Sequence, residues 1–133
     1  MTRINLIDPR ELTDQHLIAE YREIFMVGSS LIRSMKSKDW ENTLMNIPKK
    51  FTLNKGHVVF FYNKGKYLDK RYSLLVKEMK RRGMHPDPKR KFKKSQWPDH
   101  LYNDWKPKKN DIKIIKQRIE EKISLKPNWY RYP

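Results

Sequence analysis

The chain has 133 residues and a mass of 16.3 kDa, so residues 1–133 fit one domain with a substantial core but not two independent domains. Its 31 Lys and Arg against 15 Asp and Glu give a formal net charge of +16, which suits a polyanionic partner such as nucleic acid, for an enzyme or a binder equally. The absence of cysteine excludes disulfides and thiolate catalysis. No run approaches the ~20 apolar residues of a membrane helix, so we expect a soluble, cytoplasmic protein with no membrane partner.

The start of the chain contains its best candidate nucleophile. Removal of Met1 would leave a free α-amine on Thr2. An α-amine titrates near ~8 whereas a lysine ammonium titrates near ~10.4, so at neutral pH the terminal amine has far more of its nucleophilic form. The adjacent Arg3 would favour that neutral form further and could also bind a phosphate. The ordinary alternative is a solvated chain end.

A long amphipathic helix is predicted over residues 14–33, with a broad apolar stripe facing the core. At ~100° per residue, His16 and Glu23 lie within ~20° of each other on the opposite side. Glu23 therefore faces solvent or a groove. The alternative is that His16, Glu20 and Glu23 are surface residues in ordinary helix charge pairs.

The middle of the chain carries one clear helix signal. Residues 36–55 are expected to form a loop with one short helix. The apolar run 56–62 is typical of a buried strand, although an irregular core segment would look the same. Apolar residues at helical spacing predict a helix over 67–82, and Gly83 is well placed to end it.

Four prolines among many lysines predict a loop over residues 84–110. A final helix with a clean isoleucine stripe is predicted, with Asn110 or Asp111 as its N-cap and with Pro127 ending it at the latest. The four histidines lack any metal-ligand spacing, so we expect no metal and no cofactor.

Basic segments interleaved with aromatic residues are candidate nucleic-acid contacts. They are residues 80–82, 89–94 and 105–109. Their cations could follow a phosphate backbone, or they could belong to solvated loops. Near the end of the chain three rings surround Arg131, and they are those of Trp129, Tyr130 and Tyr132. These rings could stack on a distorted base or merely close the core.

Several groups of residues together resemble a known family. They are Met1-Thr2-Arg3-Ile4-Asn5-Leu6 with Glu11-Leu12, Asp14-Gln15-His16-Leu17 with Ala19-Glu20-Tyr21-Arg22-Glu23, Gly56-His57-Val58 with Phe60-Phe61-Tyr62 and Lys64, Leu68 with Lys70 and Arg71, and Arg118 with Glu121-Lys122-Ile123, Pro127, Trp129-Tyr130 and Tyr132. In this order they resemble the pyrimidine-dimer DNA glycosylases, the phage endonuclease V type of ultraviolet-repair enzyme. The similarity leaves out residues 34–50 and 84–110.

The resemblance implies an all-α fold, a single compact domain of three main helices with long irregular loops, and an N-terminus inserted between the first and third helices. It implies a bifunctional DNA N-glycosylase and abasic-site lyase acting on cis-syn cyclobutane pyrimidine dimers. The α-amine of Thr2 would form a Schiff base with the sugar, and Glu23 would assist base release and β-elimination. This is chemically consistent, because an imine acidifies the neighbouring C2′ proton and a positioned carboxylate can help to move it.

The same resemblance implies a set of DNA-binding residues. They are Arg3 and Arg22 for phosphate, Gln15, His16 and Tyr21 at the lesion, Arg118 and Lys122 for the backbone, and the tail residues Trp129, Tyr130, Arg131 and Tyr132. The implied partner is double-stranded DNA containing pyrimidine dimers or abasic sites, bound by a monomer, in the host cytoplasm if a phage encodes the protein.

The chain departs from the family pattern just after Glu23. The family carries a proline where this chain has Phe25 and an arginine where it has Met26. A phosphate contact is therefore missing or is supplied by Arg33 or Lys36. The competing hypothesis is a noncatalytic basic DNA-binding protein. A metal-dependent nuclease is disfavoured, because the sequence has no convincing carboxylate cluster.

Overall fold

Within residues 2–133 the regular structure consists of six α-helices joined by loops and short 3-10 turns. They are α1 (Asp14–Glu23), α2 (Phe25–Met35), α3 (Trp40–Met45), α4 (His57–Phe60), α5 (Gly65–Arg81) and α6 (Lys109–Leu125). This computed structural model describes residues 2–133, and no strand occurs within that range. The all-α prediction is confirmed. Met1, whose removal the predicted chemistry requires, lies outside the described residues.

The first predicted helix is interrupted. It begins at Asp14 as expected, with the Thr13 hydroxyl accepting a hydrogen bond from the His16 N–H as its N-cap. The prediction of one helix over 14–33 is wrong at Ile24, which separates α1 from α2. There the Val27 N–H bonds to the Ile24 carbonyl at 3.4 Å, a tighter i to i+3 turn that interrupts the α-helical ladder.

The apolar run after Gly56 is helical rather than extended. The short helix α4 and a 3-10 turn at Phe61–Asn63 replace the strand that β-propensity favours. Phe60, Phe61 and Tyr62 are all buried, because the core surrounds this segment on more than one side. A short run buried on several sides is apolar at every position, so its sequence has no periodicity that would distinguish a strand from a helical segment.

Long helices were predicted in two later parts of the chain, and α5 and α6 are found there. Helix α5 buries Leu68, Tyr72, Leu75 and Met79 at helical spacing, and Gly83 follows its end with φ +82. Helix α6 buries Ile115 and Ile119 on its isoleucine stripe, but Lys108 is its N-cap, so the cap predicted at Asn110 or Asp111 is wrong. Asp111 is instead the third residue of the helix, and its carboxylate accepts from the Lys108 N–H at 2.9 Å. The short helix expected within residues 36–55 is α3. The long loop predicted over residues 84–110 is present as far as residue 108, with only 3-10 turns, and the last two of those residues belong to α6.

The N-terminal segment is held inside the fold by two backbone hydrogen bonds. The Ile4 N–H donates to His57 Nε2 at 2.9 Å, and the Asn5 N–H donates to Glu20 Oε1 at 3.1 Å. His57 Nδ1 lies 2.8 Å from the Thr52 carbonyl, so the ring donates there and accepts from Ile4 as a neutral imidazole. Burial lowers the pKa of His57, which favours the same neutral form.

Among residues 2–133, no helix is both long enough and apolar enough to cross a lipid bilayer.

Candidate active site

A cavity of about 220 Å³ lies between the N-terminal segment, α1 and α6. Its walls are formed by Arg3, Asn5, His16, Ala19, Glu20, Glu23, Arg118 and Lys122. The N-terminal segment thus runs between the first and last long helices, as the resemblance implies. Five residues singled out in the sequence meet here, namely Arg3, His16, Glu23, Arg118 and Lys122.

Thr2 immediately precedes Arg3 of the cavity wall and is held by its side chain. Its hydroxyl donates to Met26 Sδ at 3.2 Å, and only 7% of the residue is exposed. Met26 is the residue that stands in place of the family's arginine. It is 54% exposed, so at this position the chain has an exposed thioether that contacts Thr2 instead of a cation. The backbone of Thr2 leads directly into Arg3 on the cavity wall.

Positive charge surrounds the Glu23 carboxylate. Burial lowers the pKa of the Arg3 guanidinium, the nearby Arg118 lowers it further, and Glu23 opposes both effects. Two guanidiniums that repel each other across a cavity would gain from a phosphate placed between them. Arg118 is further oriented by hydrogen bonding to Asn54 Oδ1 at 3.2 Å. The arrangement is therefore suited to binding an anion beside a carboxylate.

The buried Glu20–Arg71 ion pair supports this cavity from beneath. Glu20 is 1% exposed and Arg71 is 3% exposed. Arg71 donates to both Glu20 oxygens, from Nε at 2.7 Å and from Nη2 at 2.9 Å, and a third donor, Nη1, reaches the Ile7 carbonyl. The interpretation of Glu20 as a surface residue is wrong, because its carboxylate holds both α5 and the N-terminal segment.

His16 is also buried rather than solvated, which corrects the surface interpretation. Desolvation lowers its pKa to about 4, and the positive charge of Arg3 adds to this effect. Its Nδ1 lies 2.7 Å from the Thr13 hydroxyl, and its ring stacks on Tyr130 with centroids 4.7 Å apart. His16 is therefore a neutral ring on the cavity wall at physiological pH.

The C-terminal tail covers the start of α1. The Gln15 amide donates to the Trp129 carbonyl at 2.6 Å and accepts from the Arg131 N–H at 2.9 Å, and the Asp14 N–H donates to the Arg131 carbonyl. The polar atoms of Gln15 are thus engaged by the tail. The Trp129 ring packs edge-on against Tyr130 and remains 55% exposed, and Tyr132 is 60% exposed. The Arg131 side chain is on the exposed tail as well.

Two predicted site residues lie away from the cavity. Tyr21 packs on Tyr72, and its hydroxyl accepts from the Asp87 N–H. Arg22 is exposed, and its carbonyl accepts from Arg90 Nη2 at 2.7 Å. Both residues project from parts of α1 that do not line the cavity.

Two of the basic segments contribute to the fold. Arg82 is buried, with ion pairs to Asp14 and Glu78, and it also donates to the Leu12 carbonyl. Trp105 packs edge-on against Phe60. Among residues 2–133, no group of three or more His, Cys, Asp or Glu side chains is arranged to hold a metal ion.

No sequence pattern assigned roles to Asn5, Glu20 and His57 around the N-terminal segment. Their partners are far apart along the chain, so only the fold brings them together. All three residues lie in segments that carry the resemblance, but the resemblance gave none of them a role around the N-terminal segment. The one sequence feature that pointed to such a role was that Asn5 lies in the same run as Thr2.

The chain matches a known protein-family model. The model described as pyrimidine dimer DNA glycosylase matches residues 1–92, which include Thr2, Arg3, α1 and most of the elements that build the cavity.

Proposed function

Because the chain belongs to the pyrimidine dimer DNA glycosylase family, we propose that it is a bifunctional glycosylase and abasic-site lyase that uses the α-amine of Thr2. The observation that best supports this proposal is the cavity that Arg3 and Glu23 share, because Thr2 immediately precedes Arg3 in the chain. A nucleophile, a carboxylate and phosphate-binding cations would then act at one place.

In the first step the Thr2 amine attacks C1′ of a damaged nucleotide in a cyclobutane pyrimidine dimer. A carbon–nitrogen bond forms as the glycosidic bond breaks, and the departing base takes up the proton that the amine nitrogen loses. The C1′–O4′ bond then breaks, O4′ gains a proton to become a hydroxyl, and the opened sugar is left as an imine at C1′. The neutral amine is required, and the nearby cations Arg3 and Arg118 disfavour its protonated form. The same cations would hold the flanking phosphate.

In the second step the imine acidifies the C2′ proton. Transfer of that proton, assisted by the Glu23 carboxylate, expels the 3′ phosphate and breaks the strand. Flipping a nucleotide out of the duplex costs least where pairing is already weakened, so a dimer or an abasic site is favoured over undamaged DNA. The exposed Trp129 and Tyr132 rings are available for stacking at the lesion.

Borohydride trapping tests the nucleophile. A chain that begins at Thr2 should form a covalent adduct on dimer-containing or abasic duplex DNA, because borohydride reduces the imine. The same chain with Met1 retained, or with an acetylated amine, should form none. Absence of an adduct from the processed chain, with DNA binding intact, would establish the noncatalytic DNA-binding protein instead.

Glu23→Gln tests the carboxylate. The amide keeps the shape of the side chain but cannot accept the proton, so strand scission should fall by about 10²-fold or more while damaged DNA is still bound. Glu120→Gln is the matched control. It changes an exposed carboxylate on α6 that does not line the cavity, so this variant should cleave normally. Scission by Glu23→Gln at close to the normal rate would remove Glu23 from the mechanism.

A further inference from the structure

A second concentration of positive charge surrounds residues 86–93, a segment here called the basic loop. On one side of it, a groove of about 620 Å³ separates the loop from α5. On the other side, a groove of about 450 Å³ separates it from α2. The exposed cations of the two grooves are Lys77 and Lys80 of α5 and Lys89, Lys91 and Lys93 of the loop.

The basic loop is firmly attached to the helices. The Arg90 guanidinium lies over the Tyr21 ring at 4.4 Å and over the Phe25 ring at 4.2 Å. The Tyr72 hydroxyl donates to the Arg90 carbonyl at 2.9 Å. Phe92 packs against Phe25 with ring centroids 6.3 Å apart. The lysines therefore project from a fixed backbone, which reduces the ordering cost of binding a partner.

The carboxylates in the α5 groove are already engaged within the protein. Asp69 accepts from the Tyr102 hydroxyl at 2.6 Å, and Asp87 Oδ1 accepts from the Lys89 N–H at 2.9 Å. The lysines outnumber these two acidic groups, so the surface stays positive.

This surface faces away from the candidate active site. Tyr21, which supports the basic loop, is ~140° around α1 from His16, which lines the cavity. Phe25, the other support of Arg90, likewise does not line the cavity. The lysines of the basic loop and of α5 are not among the residues that line the cavity.

The chemistry of the surface indicates a phosphate backbone rather than exposed bases. A single strand is usually held by free aromatic faces on which its bases stack. Here Tyr72 is 6% exposed and stacks on Tyr21, and Phe92 stacks on Trp97. What the surface offers is lysines, which recognise a duplex through its phosphates.

We propose that the basic loop and the adjoining lysines of α5 form a second DNA-binding surface, which holds a separate duplex segment while the cavity is occupied. The inference rests on one part of the proposed function, namely that the cavity binds DNA. Holding a second segment would let the protein pass between neighbouring duplexes without dissociating fully.

The test is a bridging experiment with the full chain carrying Glu23→Gln, so that DNA is not cleaved. An abasic duplex is immobilised and loaded with protein, and capture of a fluorescent undamaged duplex is measured. We expect capture at a ratio of one protein to two duplexes. Lys89→Gln, Lys91→Gln and Lys93→Gln in combination should weaken capture by about tenfold or more and lower the salt slope of second-duplex binding by about 2 to 3.

The matched control removes the same charge elsewhere. Lys50→Gln, Lys113→Gln and Lys116→Gln in combination alter exposed lysines outside the two grooves and should weaken capture by about twofold at most. Denaturation midpoints verify that both triple variants fold. Equal losses in the two triple variants, failure to capture the second duplex, two protein copies in each bridge, or preferential capture of a single strand would each overturn the proposal.

The two proposals fail separately. Base release from a short damaged duplex by the chain with native Glu23 tests the proposed function. Bridging is measured with Glu23→Gln, in which strand scission is suppressed. A protein that bridges duplexes but releases no base when Glu23 is native would therefore contradict the proposed activity alone.

Discussion

The buried Glu20 carboxylate connects α1, α5 and the N-terminal segment, so its charge should be critical for folding. Glu20→Gln leaves the Arg71 guanidinium buried without a counter-charge, and breaking a buried pair in this way costs about 3–5 kcal/mol. Domains of this kind are stabilised by about 5–15 kcal/mol in total, so the loss is large. Urea denaturation monitored by tryptophan fluorescence measures it.

The exposed Asp8–Arg10 pair provides the control for Glu20. Its N···O distance is also 2.7 Å, yet the Arg10 side chain is 72% exposed. Asp8→Asn should therefore cost at most about 1 kcal/mol, since water screens the pair. If Glu20→Gln and Asp8→Asn lowered the free energy of unfolding equally, burial would not determine how much stability is lost when an ion pair is broken.

His16 should make the protein less stable in mild acid. Its pKa is about 4 in the folded chain and 6.5 ordinarily, so the unfolded chain binds more protons between these values. The free energy of unfolding should then fall by up to about 3 kcal/mol as pH decreases from about 6.5 to about 4. His57, whose pKa is also lowered by burial, adds to the loss.

Denaturation series at pH 6.5 and pH 5 isolate the contribution of His16. His16→Gln should flatten the pH dependence, whereas His100→Gln, at an exposed loop histidine, should leave it unchanged. A pH dependence that is the same in wild type and His16→Gln would contradict the prediction.

At the scale of elements, sequence patterns predicted those helices that bury one stripe of residues. Helices α5 and α6 each have a polar face and an apolar face, and both were predicted. The segment 57–62 was not, because residues buried on several sides show no period. The interruption at Ile24 was missed for a related reason: the apolar stripe continues through it, and no glycine or proline marks it.

Gly65 at the start of α5 should not tolerate a side chain. A Cβ at this position would lie 2.7 Å from Cδ2 and Cε3 of the Trp97 ring, which is 5% exposed and packed on Phe92. Because the ring has little room to move, Gly65→Ala should cost about 1–3 kcal/mol, measured by thermal denaturation.

Gly28 within α2 is the matched comparison. A Cβ there would meet the Gln96 side chain, whose amide end can rotate away. Alanine also favours a helix over glycine by about 1 kcal/mol, so Gly28→Ala should be close to neutral. A Gly28→Ala variant as unstable as Gly65→Ala would mean that the Gln96 side chain is as fixed as the indole.

At the scale of the whole molecule, composition indicated a polyanionic partner but not where its phosphates bind. The fold divides the cations by role. Arg71 and Arg82 are buried in ion pairs, Arg3 and Arg118 face the cavity, and the basic loop carries its lysines on another face. The resemblance implied that Thr2 and Glu23 share one site and that Gln15 and Tyr21 contact the lesion. In the structure, Gln15 and Tyr21 contact residues that are distant in the sequence, and these contacts could not be predicted from the sequence.

The C-terminal tail should control the titration of a residue at the opposite end of the chain. Tyr130 stacks on His16, and the backbone of Arg131 is fixed by Asp14 and Gln15. Deleting residues 129–133 should therefore expose the imidazole and raise the pKa of His16 from about 4 towards 6.5. The recovery should be incomplete, because the positive charge of Arg3 still disfavours the imidazolium.

NMR titration of the His16 ring in the full chain and in the deletion variant measures this shift. Tyr130→Ala, which removes the stacked ring but retains the backbone contacts to Gln15, should give a pKa between those two values. A His16 pKa that remains near 4 after deletion would show that α1 and α6 bury the ring without the tail. If the pKa rises, displacement of the tail by bound DNA would change the charge of the cavity wall, and it would do so most readily in mild acid.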